Sequence, residues 1–215
     1  MACIAAFEGI RNSGKLKSLR ILILVPLTEI AFCIALLFGP LFLNTRKIKS
    51  HHLKFDYADL TFYCGEVFNF FEFTVIMIFL FESLSYLPYK RLVQALTFIG
   101  LAILSFSFLS KSREELATNS YAIASFLIIV SLILYFKRRV AEIHHTDFQK
   151  DPIFIVASGC FIQFCMTFPS SILLHILNPS DLRISEVILL VDYTAYTFYF
   201  YFIYKGFQCQ IKLTK

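Results

Sequence analysis

The chain has 215 residues, of which 58% are hydrophobic and 16% are charged, and its formal net charge is +5. A soluble globular domain carries about 25% charged residues, so this composition excludes an ordinary soluble protein. The apolar residues collect into runs about as long as a bilayer is thick, and the connections between the runs are short. These connections leave no room for a kinase, nuclease or nucleotide-binding domain.

Six long apolar runs divide the chain, and each predicts a membrane-spanning helix because backbone amides find no water in hydrocarbon. The first run is longer than the apolar region of a cleaved signal peptide, so it predicts a membrane anchor preceded by a non-spanning segment, residues 1–20. The predicted spans are about 21–43, 57–86, 92–109, 121–136, 152–177 and 184–207. The sequence therefore predicts an all-α protein, a polytopic transmembrane helical bundle of about six spans in one domain.

The start of the fifth run carries a helix-boundary signal. Pro152 follows Asp151 at the point where the apolar residues begin. Proline is favoured in the first turn of a helix, because the N–H that it lacks would have no partner there. We therefore expect a helix to begin at Pro152.

The distribution of Lys and Arg predicts the orientation of the bundle, since cytoplasmic flanks are enriched in basic residues. With the N-terminus inside, 13 of the 20 Lys and Arg residues fall on the inner flanks and 7 on the outer flanks. Both termini are therefore predicted to be cytoplasmic. The positive net charge is assigned to these flanks, and no nucleic-acid partner is expected.

The chain lacks the residue patterns that hold cofactors or perform covalent catalysis. Its six cysteines lie mostly inside apolar runs, without CxxC spacing or histidine partners, so neither a zinc site nor a disulfide framework is predicted. The sequence motifs of serine hydrolases, nucleotide-binding loops and zinc proteases are missing as well. We therefore expect no metal, no cofactor and no enzymatic activity.

Ionisable residues inside a membrane span cost roughly 2.5–3.5 kcal/mol each and are therefore candidates for a functional site. In the second run, Glu66, Asn69 and Glu72 are spaced three residues apart, which keeps them within about 120° of one helix face. Burial and like charge disfavour ionisation of both carboxyls, so a shared-proton or cation site is one interpretation. The other is that each carboxyl is protonated and hydrogen-bonded to a neighbouring helix as part of the packing.

The sixth run offers a second polar face, because Asp192 and Tyr196 are four residues apart. This face lines either a polar cavity or an aromatic bundle core with tyrosines near the membrane interface. For Glu72 we expect a polar partner near Gln163 or Asp192. The candidate ligand or ion pocket consists of Glu29, Glu66, Asn69, Glu72, Gln163, Asp192 and Tyr196.

Short patterns spread over the chain also suggest a family. They are Thr28-Glu29 in the first run, Phe71-Glu72-Phe73 in the second, and Asp151-Pro152 followed by Phe154, Gly159 and Phe164 in the fifth. In these patterns the chain resembles an uncharacterised family of small multi-pass membrane proteins of Bacteroidota. The resemblance implies a bundle of six or seven helices in a bacterial inner membrane, and it implies architecture more than activity.

Two functions remain open at this level. The first is a non-enzymatic sensor or signalling-partner bundle with a polar intramembrane pocket, acting through helix movement or a membrane partner. The second is an ion channel or small-solute transporter, in a homo-oligomer, with membrane carboxylates lining the pathway. A continuous water-filled track would favour transport, whereas a closed pocket would favour sensing.

Overall fold

The protein is described by a computed structural model that covers residues 21–31, 34, 57–109, 113–142, 148–176 and 182–212. Within these residues all regular secondary structure is helical and none of it is a strand. This confirms the predicted all-α class. Of the first predicted span, 21–43, the structure describes residues 21–31 and 34. The rest of that span lies outside the described residues.

Five long helices follow one another within the described part of the chain. They are α1 (Tyr57–Ser83), α2 (Leu87–Leu109), α3 (Arg113–Glu142), α4 (Pro152–Ile176) and α5 (Leu182–Lys212). A short helical stretch over residues 24–31 precedes them, and the 3-10 turn Phe148–Lys150 leads into α4.

Several helix boundaries differ from those of the apolar runs. The helix α3 extends well beyond the predicted 121–136, α2 begins at Leu87 rather than at residue 92, and α1 ends at Ser83 rather than at residue 86. The polar end of α3 carries an ion pair one turn apart, with Arg138 Nε 2.6 Å from Glu142 Oε1, a spacing that supports helix. Apolar runs report only the part of a helix that needs an apolar environment, so they miss such polar turns.

Among the residues that the structure describes, four stretches are long and apolar enough to cross a membrane. They are Leu87–Leu109, Ser120–Glu142, Pro152–Leu173 and Glu186–Cys209. Large apolar side chains on their outer surfaces are more than half exposed, among them Phe98, Phe106 and Leu109 of α2 and Leu190 and Tyr193 of α5. Exposed apolar surface of this kind is typical of helices that face lipid and rare in soluble monomers.

Each helix packs against its neighbours in the chain. The contacting pairs include α1 with α2, α2 with α3, α3 with α4 and α4 with α5, and α1 also packs against α3. Large side chains between them form one core, in which Phe73, Tyr135, Phe164, Tyr199 and Phe207 are almost completely buried. This core surrounds the polar residues described below.

Glycine allows α4 and α5 to approach closely. A Cβ atom on Gly206 of α5 would lie 2.3 Å from Val156 Cγ2 and 3.0 Å from the Pro152 carbonyl oxygen of α4. Such distances are shorter than van der Waals contact, so a larger residue would force the helices apart. Small residues at helix interfaces are the usual means of close approach in membranes.

The start of α4 is fixed by Asp151. Its Oδ1 accepts a hydrogen bond from the backbone N–H of Ile153 at 3.0 Å, which is the geometry of an N-terminal cap. Its Oδ2 accepts one from Arg139 Nε of α3 at 2.8 Å. The helix begins at Pro152, as predicted, and the same aspartate joins it to the end of α3.

Candidate functional site

The carboxyl group of Glu72 lies in the interior of the helical bundle. The residue is 1% exposed, and neither carboxyl oxygen has a hydrogen-bond partner in the structure as described. Its electrostatic neighbours are the carboxyl of Glu29, from the helical stretch 24–31, and the hydroxyl of Tyr196 on α5. A buried polar group without a partner costs about 1–3 kcal/mol, and a charged group costs more. Such a group in a folded protein calls for an explanation.

Tyr196 joins Glu72 to a second tyrosine. The hydroxyl oxygens of Tyr196 and Tyr121 lie 3.4 Å apart, which is long for a hydrogen bond between hydroxyls. Tyr121, on α3, also interacts with Thr167 of α4 and Asp192 of α5. We refer to Glu29, Glu72, Tyr121 and Tyr196 as the acid–tyrosine cluster.

The helical period of α5 places its polar residues on one face. Asp192, Tyr196 and Tyr199 are separated by four and three residues, the spacing of side chains that lie one above another. Tyr199 is 0% exposed, and its hydroxyl lies beside the thiol of Cys160 on α4. Tyr199 and Cys160 both interact electrostatically with Glu72, so they extend its polar surroundings.

Gln163 is buried on the neighbouring face of α4. It is 0% exposed, and neither atom of its side-chain amide has a hydrogen-bond partner among the described residues. Its backbone carbonyl accepts a hydrogen bond from the Thr167 hydroxyl at 3.1 Å. Since Thr167 also interacts with Tyr121, this face of α4 borders the acid–tyrosine cluster.

Asp192 lies at the edge of the same region. Its Oδ1 atom is enclosed and has no hydrogen-bond partner in the part of the chain that the structure describes. Its neighbours include the hydroxyl of Ser170 on α4 and, more distantly, Tyr121. Asp192 is therefore linked to Glu72 through Tyr121 rather than placed against it.

Glu66 and Asn69 are not among the groups that act on Glu72, although all three residues lie on α1. Glu66 is 7% exposed and lines a cleft of about 410 Å³ between α1 and α2. The other residues of this cleft are Val67, Phe70, Phe71, Leu104, Ser105, Phe108 and Leu109. Asn69 is half-buried. The structure thus brings Glu29, Glu72 and Tyr196 together and places Glu66 in different surroundings.

The acid–tyrosine cluster is suited to holding a proton or a single positive charge. The carboxyl of Glu72 is buried, that of Glu29 is half-buried, and the two interact electrostatically. Desolvation and like-charge repulsion therefore both disfavour two simultaneous negative charges. The tyrosine hydroxyls can donate hydrogen bonds to whichever carboxyl is ionised. No group of three or more His, Cys, Asp or Glu residues that could hold a metal ion occurs in the described ranges.

Sequence reasoning named Gln163 on α4 but missed the other polar residues of α4 and the contribution of α3 to this region. On α4, the small or polar residues Cys160, Gln163, Thr167 and Ser170 recur at intervals of three, four and three. Residues at these intervals lie on one helix face, so the sequence pattern could have predicted a polar face on α4. Tyr121 gave no such signal, because it stands alone at the edge of its apolar run.

Comparison of this chain with protein-family models, with curated proteins and with solved structures finds no match.

Proposed function

We propose that this chain is an integral membrane protein with about six spans and both termini in the cytoplasm, in a bacterial inner membrane. The four apolar stretches and the exposed apolar side chains on their outer surfaces support this proposal. At 27 residues, α1 is about 40 Å long at the rise of an α-helix, which exceeds the roughly 30 Å of a hydrocarbon core. The sixth span would be residues 21–43. Membership of the family of small multi-pass membrane proteins of Bacteroidota is also part of the proposal.

Within that membrane bundle, the proposed function is that of a non-enzymatic sensor or signalling partner. The observation that carries it is the Glu72 carboxyl, which is buried beside the carboxyl of Glu29 and has no hydrogen-bond partner for either oxygen among the described residues. Packing alone explains a polar group best when its hydrogen bonds are satisfied. A buried carboxyl whose oxygens lack partners among the described residues, with a second carboxyl beside it, is suited to respond to a proton or a cationic ligand.

The proposed response is a movement of the helical stretch 24–31. When both carboxyls are ionised, Glu29 and Glu72 repel each other, and when one of them is protonated, that repulsion is relieved. Since Glu29 belongs to the helical stretch 24–31 and Glu72 to α1, the change alters the packing between these two elements. A partner membrane protein or a second copy of the chain would receive the signal, and no nucleic acid is involved.

The alternative is a channel or transporter, and one observation favours it. Polar groups continue from Glu72 through Tyr196 and Tyr121 to Thr167 and Asp192, across α1, α5, α3 and α4. Such a series is a candidate relay for protons or small cations. The enclosure of Glu72 and Tyr199 favours the sensor instead.

The distinguishing experiment compares wild type, Glu72→Gln and Glu66→Gln in liposomes. Glutamine keeps the shape of the glutamate and removes its titratable proton, and Glu66→Gln controls for the loss of a carboxyl outside the acid–tyrosine cluster. Amide hydrogen exchange is measured on both sides of neutral pH and corrected for the intrinsic pH dependence of exchange. Proton and potassium flux is measured in the same preparations.

For a sensor, we expect exchange in residues 21–31 to change with pH in wild type and Glu66→Gln but not in Glu72→Gln, with flux at background. A pH response that persists in Glu72→Gln would show that the cluster is not the responsive site. Flux that is present in wild type and lost in Glu72→Gln would rule out the sensor and favour the channel or transporter.

A further inference from the structure

A small basic and aromatic cavity lies outside the acid–tyrosine cluster, where the end of α3 meets the start of α2. Its volume is about 240 Å³, and Tyr86, Tyr89, Lys137, Arg138 and Ala141 line it. We refer to it as the basic pocket. Pockets that enclose drug-sized ligands usually measure roughly 300–1,000 Å³, so this one suits a compact chemical group.

Arg138 is held in place by contacts that do not use its terminal amino groups. Its Nε donates a hydrogen bond to Glu142 Oε1 at 2.6 Å, and its guanidinium carbon lies 5.0 Å from the centre of the Tyr86 ring. Ser85 donates to the same Glu142 oxygen at 2.6 Å. The guanidinium is therefore oriented before any ligand arrives, and no hydrogen bond or ion pair within the described ranges uses its two terminal nitrogens, which are available as donors.

The other side chains of the basic pocket add donors and positive charge. Lys137 is exposed and makes no ion pair with any other residue in the described ranges. The rings of Tyr86 and Tyr89 meet edge to face with centres 5.1 Å apart, which orders the aromatic side of the cavity. The nearby carboxylate of Glu142 is already compensated by Arg138 and, at 3.8 Å, by Arg139.

From this arrangement we infer that the basic pocket binds a phosphate group, and that an anionic phospholipid supplies it. Residues that carry guanidinium, ammonium and phenol donors line one small cavity, and phosphate oxygens are the acceptors that such donors recognise. The pocket lies at the ends of two apolar stretches, Leu87–Leu109 and Ser120–Glu142. In a membrane this is the level of the lipid headgroups, where basic pockets between helices bind anionic lipids.

The test uses the full-length protein in detergent and counts retained lipids by native mass spectrometry. Phosphatidylglycerol is compared with phosphatidylcholine, and inorganic phosphate is added in excess in a separate arm. The pocket variants are Lys137→Ala and Arg138→Lys, the second of which keeps the charge but loses the planar donor pair. Lys90→Ala is the matched control, because Lys90 lies 5.2 Å from the Phe81 ring centre and does not line the pocket.

We expect wild type to retain phosphatidylglycerol over phosphatidylcholine, and Lys137→Ala to retain it about fivefold less. Arg138→Lys should also weaken retention, while Lys90→Ala should change it less than twofold. Displacement by inorganic phosphate would show that the pocket accepts a free phosphate as well, and resistance to displacement would assign it to the lipid. Equal retention of the two lipids, or an equal loss in Lys90→Ala and Lys137→Ala, would overturn the inference.

Discussion

Gly159 of α4 lies so close to Phe202 of α5 that a Cβ atom on the glycine would come within 2.4 Å of the Phe202 Cβ. We therefore predict that Gly159→Ala lowers stability by about 1–3 kcal/mol, the usual cost of overpacking an interior. The measurement is the thermal unfolding midpoint of the purified protein in detergent.

Gly65→Ala is the matched control for that substitution, since among the described residues no atom beyond the local backbone of its own helix lies within 4 Å of the Cβ that it would add. Alanine is the better helix former by about 1 kcal/mol, so this variant should be as stable as wild type or slightly more stable. If both alanine variants unfold at the same temperature as wild type, α4 and α5 do not approach as closely at Gly159 as described above.

Asp151 performs two structural tasks, and two substitutions should separate them. Asp151→Ala removes both the cap of α4 and the hydrogen bond from Arg139, so we expect a loss of about 1–3 kcal/mol in the free energy of unfolding. Asp151→Asn keeps a side-chain oxygen for the cap and should lose less. Thermal unfolding of both variants is the measurement, and equal losses would mean that the cap contributes nothing.

Pro169 lies inside α4 and cannot donate a backbone hydrogen bond to the carbonyl of Cys165. The hydroxyls of Ser170 and Ser171 meanwhile bond to carbonyls one turn earlier, each at 2.8 Å, a pattern that often bends helices. We predict that Pro169→Ala slows amide exchange across residues 166–171. Pro152→Ala, at the start of the same helix, should leave exchange in that stretch unchanged.

The predicted orientation of the chain can be tested by cysteine labelling. In a variant without native cysteines, Ile48→Cys and Ser112→Cys should react with a membrane-impermeant maleimide added from outside the cell, whereas Val140→Cys should not. The expectation rests on the larger share of Lys and Arg on the flanks assigned to the cytoplasm. Labelling of residue 140 alone would reverse the orientation.

The helical character of the chain was predictable because it follows from local rules. Continuous apolar runs and the proline at the start of α4 indicate helices without any knowledge of packing. The polar turns at the end of α3 were missed because the pair Arg138 and Glu142 stabilises the helix beyond its apolar run. Hydropathy contains no information about that pair.

The candidate site was predictable on single helices and less so between them. Asp192 and Tyr196 share a face because their spacing is helical, and the structure brings Tyr196 to Glu72. The sequence grouped Glu66 with Glu72 in one pocket, whereas in the structure Glu66 lines the cleft between α1 and α2 and Glu72 neighbours Glu29 and Tyr196. Six residues correspond to about 9 Å along a helix axis, so residues on one broad face can meet different neighbours. The rotation of α3 that brings Tyr121 to Tyr196 cannot be derived from one sequence.

The packing of each helix on its chain neighbours has a consequence for biosynthesis. Helices that contact their predecessors can assemble as they leave the ribosome, whereas Glu72 needs Tyr196 of α5 to complete its surroundings. At about 5–20 residues per second, α5 is synthesised many seconds after α1. During that interval α1 holds a carboxyl that nothing from α5 yet encloses, and in the proposed membrane bundle retaining such a group in lipid is costly. Nascent chains truncated before α5 should therefore be degraded faster than chains that include it, which pulse-chase labelling would measure.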